Sequence, residues 1–112
     1  MAKPRLYWDA EVGDFPEWIY DPNDRTRWHQ LTIPDGWYVY TMFGVSRPAL
    51  YIGMTGHLYR RLAQHARSKP WWTEVDHIIV GLAESREAAH EWERRYIRRA
   101  NPVYNLERYG AI

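Results

Sequence analysis

A small α/β domain of the α+β kind, with helices flanking a mainly antiparallel three-stranded sheet in the order β-β-α-β-α, is predicted by three features of the sequence. Two aromatic and β-branched runs stand either side of a short turn, a third run holds Ile78, Ile79 and Val80 in succession, and two segments carry apolar residues at helical spacing. An irregular N-terminal leader precedes these elements.

The first run, Trp37 to Phe43, suits a strand, and Gly44 to Pro48 supplies turn chemistry before a second strand from Ala49 to Gly53. Together they predict an antiparallel hairpin. Thr55 and Gly56 offer a helix start, and Leu58, Leu62 and Ala66 recur every fourth residue, predicting a helix to about Ser68 that Lys69-Pro70 stops. His77 to Leu82 reads as a strand buried on both faces. Ser85 caps a last helix, about Arg86 to Ala100, with Ala89, Trp92, Tyr96, Ile97 and Ala100 on its apolar stripe and Glu87, Glu91, Arg94, Arg95 and Arg98 opposite. Asn101-Pro102 ends it, and Val103-Tyr104-Asn105 turns back toward the domain.

Residues 1–35 contain Pro4, Pro16, Pro22 and Pro34, and the turn signal Asp21-Pro22-Asn23-Asp24, so little regular structure is expected there. Trp8, Phe15, Trp18, Ile19 and Trp28 are too many large apolar side chains for a free tail. The expected division is a leader over 1–35 packed on a domain over 36–112.

At 112 residues the chain is long enough for one modest core, and no apolar run reaches the roughly 18 residues of a membrane span. No secretory layout opens the sequence, and with no cysteine, disulfides, thiol catalysis and thiolate zinc sites are excluded. A cytoplasmic location fits best. The net charge of +1 conceals an asymmetry: four basic and seven acidic residues up to Asp35, then eleven basic and seven acidic from Gly36 onward. A basic C-terminal part is compatible with a polyanionic partner and equally with a solvated helix face. Gly-rich phosphate loops, the nucleophile elbow and the paired histidine–glutamate zinc motif are all missing, which removes nucleotide hydrolases, serine hydrolases and zinc proteases. His29, His57, His77 and His90 show no metal-ligand spacing.

Glu93 is the position that packing does not explain. It falls four residues after Ala89 and four before Ile97, inside the apolar stripe, where an ionised carboxylate needs an arginine, a set of donors or a metal ion. Periodicity alone leaves a buried salt bridge and a functional role equally open. Arg61 and His65, at i and i+4 beside the stripe of the first helix, would complete a phosphate-cleaving set with it.

Five elements in one order then resemble the GIY-YIG nuclease superfamily over residues 36 to 106. Tyr38-Val39-Tyr40 resembles the first tripeptide and Tyr51-Ile52-Gly53 is the second intact, with Tyr51 eleven positions after Tyr40. Gly36-Trp37-Tyr38 is an alternative first tripeptide that would lengthen the hairpin. Arg61 stands ten residues after Tyr51 and His65 four further on. Glu93 lies twelve residues before Asn105, which ends the closing Pro102-Val103-Tyr104-Asn105. Tyr38 in place of a glycine, the paired Arg60 and Arg61, and the leader depart from the pattern without removing a reacting group.

The resemblance implies an endonuclease that hydrolyses phosphodiester bonds in DNA, single- or double-stranded, with Mg²⁺ or Mn²⁺ held by Glu93. Its catalytic set would be Tyr40, Tyr51, Arg61, His65 and Glu93. Tyr51 is the first choice of base, although a free phenol ionises near pH 10; Arg61 would bind a non-bridging oxygen, and His65 would receive the proton or place the phosphate. Tyr38, Gly53 and Asn105 would support the site, with Asn105 holding the glutamate or its loop. Arg60, Arg67, Lys69, Arg94 and Arg98, together with Arg95 and Arg99, would contact the strand away from the cut. One site cuts one strand, so a duplex needs two cuts or a homodimer. With no separate DNA-binding tail expected, any sequence preference would come from this domain, its leader or a partner. A binding module that kept the fold and lost catalysis is the competing reading.

Overall fold

A computed structural model describes residues 4–9, 11–12, 35–46 and 48–105. Strands β1 (Arg5–Trp8), β2 (Trp37–Phe43), β3 (Ala49–Thr55) and β4 (His77–Ala83) and helices α1 (Leu58–Ser68) and α2 (Arg86–Ala100) follow one another as β1-β2-β3-α1-β4-α2. The sheet has four strands in the order β1-β4-β2-β3, where the sequence predicts three. The added strand comes from the proline-rich leader. Arg5–Trp8 pairs in parallel with β4, Leu6 opposite Ile78 and Trp8 opposite Val80, so the strand exists only through a partner more than seventy residues away. Phe15, Trp18, Ile19 and Trp28 lie outside the described residues.

β2 pairs antiparallel with both β3 and β4, with Tyr40 opposite Gly53 on one side and Val80 on the other. Alternation along the strands then sorts two cores. Leu6, Tyr38, Tyr40, Met42, Tyr51, Ile78 and Val80 face α1 through Leu58 and Leu62, whereas Val39, Ile52 and Ala83 face α2 through Ala89 and Tyr96. The two helices therefore cover opposite faces of the sheet. Both faces of β2 are covered, which is why its sequence is continuously apolar and aromatic rather than alternating.

Local signals account for the ends. Ser85 Oγ accepts from the Ala88 N–H at 3.0 Å and caps α2, while Asn101 closes it in the left-handed conformation at φ 47°. α1 starts at Leu58, later than the Thr55-Gly56 signal, because Thr55 extends β3 and its Oγ1 accepts from the His57 N–H at 3.0 Å. The buried stripe of α1 is Leu58, Leu62 and His65; Ala66, expected inside, is exposed. Ala100 of α2 is likewise exposed, and the buried residues there are Ala89, Glu93 and Tyr96. After Lys69 the chain does not simply stop: Pro70–Glu74 forms a 3-10 turn that buries Trp71 against the first core.

Val12 reaches the second core over Gly81, where an added Cβ would stand 2.5 Å from the Val12 Cβ. Gly81→Ala is expected to loosen the N-terminal segment from the sheet, with faster proteolysis near Val12 as the readout. No helix among the described residues is long and apolar enough to cross a membrane.

Candidate active site

Tyr40 sits at the middle of β2 and is wholly buried, and its hydroxyl is joined to His65 Nε2 by a 2.8 Å hydrogen bond. With Tyr40 donating, the histidine carries its proton on Nδ1; with a proton on Nε2, Tyr40 accepts. Tyr51 of β3 meets the same histidine edge-on at 4.9 Å between ring centroids and lies 6.2 Å from the Tyr40 ring. Three titratable rings from two strands and one helix are thus in mutual contact. They come together because Tyr40 and Tyr51 share a sheet face and His65 lies two turns along α1 from Leu58 on the buried stripe.

Gly53 makes this closeness possible. An added Cβ there would stand 2.5 Å from the Tyr40 hydroxyl oxygen and 2.6 Å from its ring carbon Cζ. A fully buried ring cannot swing away without moving its neighbours, so Gly53→Ala is expected to cost about 1–3 kcal/mol by overpacking. Urea unfolding checks this, and the hydrogen bond to His65 should be lost with it.

Asn105 fastens the edge strand that bears Tyr51. Its Oδ1 accepts from the Ile52 N–H and its Nδ2 donates to the Ile52 carbonyl, both at 2.8 Å, while the Val103 and Tyr104 N–H groups donate to the carbonyls of Ala49 and Leu50. The described bonds of Asn105 thus go to the middle of Tyr51-Ile52-Gly53. Asn105→Ala would leave two buried backbone groups without these partners, at about 1–3 kcal/mol for each group orphaned. A lowered urea midpoint checks it.

Tyr38, two residues before Tyr40 on the same face, turns to Trp8 instead, edge-on at 6.3 Å. Burial, then the charge of Asp35, push its hydroxyl up to about 12; burial, then Tyr38, push Tyr59 up to about 12 as well. Tyr96 is raised too, by burial and by the carboxylates of Asp9 and Glu11, which accept from its hydroxyl at 2.9 and 3.2 Å. None of these three phenols is suited to accept a proton near neutrality. Because the fold raises the Tyr38 and Tyr59 values above the unfolded value near 10, their contribution is full below pH 10 and is lost as pH rises through 12. Urea midpoints between pH 9 and 12 should fall, and fall less in Tyr59→Phe.

Arg61, one turn before His65 on α1, is half-buried, and among the described residues it makes no ion pair. Arg60, Arg67, Arg94 and Arg98 are exposed and likewise form no ion pair among the described residues, whereas Lys69 is half-buried and has a partner. Arg95 reaches Glu91 at 3.9 Å and lies over Trp92, and Arg99 reaches Glu11 at 3.8 Å and lies over Tyr96. These two arginines are already engaged within the fold.

Glu93 is 2% exposed on α2, between Ala89 and Tyr96, and it has a partner within the protein. It faces the sheet from the side opposite to His65. Sequence spacing alone puts the two helices in one cluster; the structure separates them by the sheet, with β3 as the edge strand. No group of three or more His, Cys, Asp or Glu able to hold a metal ion occurs among the described residues. A groove of about 410 Å³ lined by Trp37, Met54, Arg86, Glu87 and His90, and a cavity of about 400 Å³ lined in part by Asp9, Glu11, Thr41, Tyr96 and Arg99, both lie elsewhere than Tyr40, Tyr51 and His65.

The fold thus brings a tyrosine pair onto one histidine, with an arginine one helical turn away and a carboxylate on the other layer. The family model described as the GIY-YIG catalytic domain matches residues 36–107, well over half of the chain, and the chain belongs to that family. Among curated proteins none matches it. The family is one of endonucleases that act on DNA and generally use divalent metal ions.

Proposed function

We propose that the chain is a metal-dependent endonuclease hydrolysing phosphodiester bonds in DNA, with Tyr40, Tyr51, Arg61, His65 and Glu93 as its reacting set. The observation that carries this is the meeting of Tyr40, Tyr51 and His65, three rings able to hold or pass a proton, at one point of the fold.

The donor set fits one kind of cation. Among the described residues no cluster of His, Cys, Asp or Glu accompanies Glu93, and a lone carboxylate suits Mg²⁺ or Mn²⁺, which keep several waters and take phosphate oxygens as their remaining ligands. Glu93 would hold it. The chemistry supplied by a cation held there would be polarisation of the scissile phosphate and stabilisation of the leaving oxygen.

The protein's own groups do the rest. On this reading Tyr51 would take the proton of the attacking water as its own phenolic proton passes to His65, which is in ring contact with it and, when its Nε2–H is donated to Tyr40, has Nδ1 left to accept. Arg61 binds a non-bridging oxygen with its planar donors. Since His65 and Glu93 address the sheet from opposite faces, the substrate strand runs along the β3 edge, where both layers can reach it. Arg60 and Arg67 on α1, and Arg94 and Arg98 on α2, contact the backbone on either side. With one site per chain, a duplex is severed by two cuts or by a homodimer.

The exposed Arg60, Arg67, Arg94 and Arg98, which form no ion pair among the described residues, also fit a second reading, a nucleic-acid-binding module without catalysis. Labelled single- and double-stranded DNA, incubated with the chain in Mg²⁺, Mn²⁺ or EDTA, separates the two. Metal-dependent products support the nuclease; a gel shift with no product under any condition supports the module.

A further inference from the structure

Trp71 lies in the short 3-10 turn after α1, outside the tripeptides and helices that carry the site residues, and yet it touches two of the site's three clustered rings, Tyr51 and His65. Its indole stacks on Tyr51 at 5.5 Å and 26°, and meets His65 at 5.9 Å and 40°. On Tyr104 it stacks at 5.0 Å and 5°, nearly parallel. Tyr104 is itself held at both ends: its N–H donates to the Leu50 carbonyl, and its hydroxyl donates to Glu74 Oε2 at 2.6 Å. Glu74 closes the same 3-10 turn that carries Trp71. The rings Tyr51, Trp71 and Tyr104 thus form a stack whose far end is tied back to the base of its own middle member.

Simple core filling does not require this arrangement. An aliphatic residue would fill the volume but would leave Tyr51 free to rotate about its side-chain torsions, because dispersion contacts alone set no ring plane. A stacked indole does set one. Tyr51 is the ring that matters most, since on the nuclease reading its oxygen must address the attacking water within a few tenths of an ångström.

We propose that Trp71 is a positioning residue for Tyr51 and His65, and that the Glu74–Tyr104 hydrogen bond locks the stack that does it. This rests on the nuclease reading for its catalytic consequence, though not for its structural one. Trp71→Leu is expected to lower kcat for DNA cleavage by about 10²-fold, the size of effect that a misplacement of about 1 Å produces, with KM within about twofold of the wild type. Trp71→Phe, which keeps a stacking ring, should recover most of that loss. Glu74→Gln, at an exposed position, keeps the fold and weakens the lock, so a smaller fall in kcat with unchanged KM is expected from it.

The test is single-turnover cleavage by the wild type and the three variants, each shown folded by circular dichroism, beside ¹⁹F NMR of the chain carrying fluorotyrosine at position 51. The wild type and Trp71→Phe should each show one sharp Tyr51 resonance at a stack-shifted position, and Trp71→Leu a broadened signal moved toward the free-tyrosine position. A Trp71→Leu protein that is folded, cleaves at the wild-type rate and keeps the Tyr51 resonance overturns the proposal. A Phe variant no better than the Leu variant in both readouts overturns it as well. If Trp71→Leu does not fold, Glu74→Gln decides: a wild-type kcat and an unmoved Tyr51 resonance in that variant count against the lock and the proposal together. A wild type that cuts no DNA contradicts the nuclease reading alone, and the resonance of Tyr51 then judges the stack by itself.

Discussion

Replacing Tyr51 by phenylalanine removes one oxygen atom and is expected to slow DNA cleavage by about 10²–10⁴-fold, the range that a positioned proton acceptor contributes. The ring stays, so its stacking on Trp71 and its edge contact with His65 stay with it. Stability and DNA affinity should therefore change little, and single-turnover kinetics beside a binding isotherm separate the two effects. Tyr40→Phe makes an informative comparison. Its hydroxyl is bonded to His65 Nε2 inside the core, so losing it should disturb stability as well as rate.

Arg61→Ala is the second large effect, expected at about 10²–10³-fold in kcat, comparable to removing one oxyanion donor from a preorganised site. Arg61→Lys should recover little of it. A guanidinium offers two parallel donors to a phosphate and an ammonium offers a point charge, so the substitution keeps the charge and loses the geometry. Because Arg61 makes no ion pair among the described residues, neither variant should lower the urea midpoint by more than about 0.5 kcal/mol in equivalent stability. A salt titration distinguishes Arg61 from the outer arginines. Arg60→Ala or Arg94→Ala should weaken DNA binding and reduce its salt dependence, with the rate of the bound complex kept.

How much of this could be read from the sequence depends on whether the governing contacts are periodic or distant. The hairpin and the shared face of Tyr40 and Tyr51 follow from strand alternation over a short loop, and Glu93 stands out because a carboxylate breaks a helical apolar stripe. Burial of Glu93 at 2% exposure is what that stripe implies. On α1 the four-residue repeat of Leu58, Leu62 and Ala66 favours Ala66 over His65 for the buried stripe, because i+3 and i+4 neighbours of Leu62 share a face and composition favours the alanine. Packing against Tyr40 and Tyr51 brings the imidazole inside instead.

Two features had no local signal. β1 is four residues long in a proline-rich stretch, and its parallel pairing with β4 spans most of the chain, so no window of sequence contains it. Trp71 sits in a single 3-10 turn, too short to show a period, and its partners Tyr51, His65 and Tyr104 lie on three other segments. That the two helices occupy opposite faces was equally invisible, since both present apolar stripes and neither stripe says which side of the sheet it meets. On the nuclease reading, Glu93 and His65 would meet one phosphate around the β3 edge.

The most direct measurement is therefore the Mg²⁺ dependence of DNA cleavage by the wild-type chain and by Glu93→Gln, a variant of nearly the same shape. The wild type is expected to cut with Mg²⁺ and to stop in EDTA. Glu93→Gln, folded and binding DNA as before, is expected to lose cleavage by roughly a thousandfold, since a carboxylate cation ligand would be replaced by a neutral amide. Cleavage that persists in EDTA, or a Glu93→Gln protein that cuts with the wild-type Mg²⁺ profile, would contradict the proposed function and return Glu93 to the role of a buried structural carboxylate.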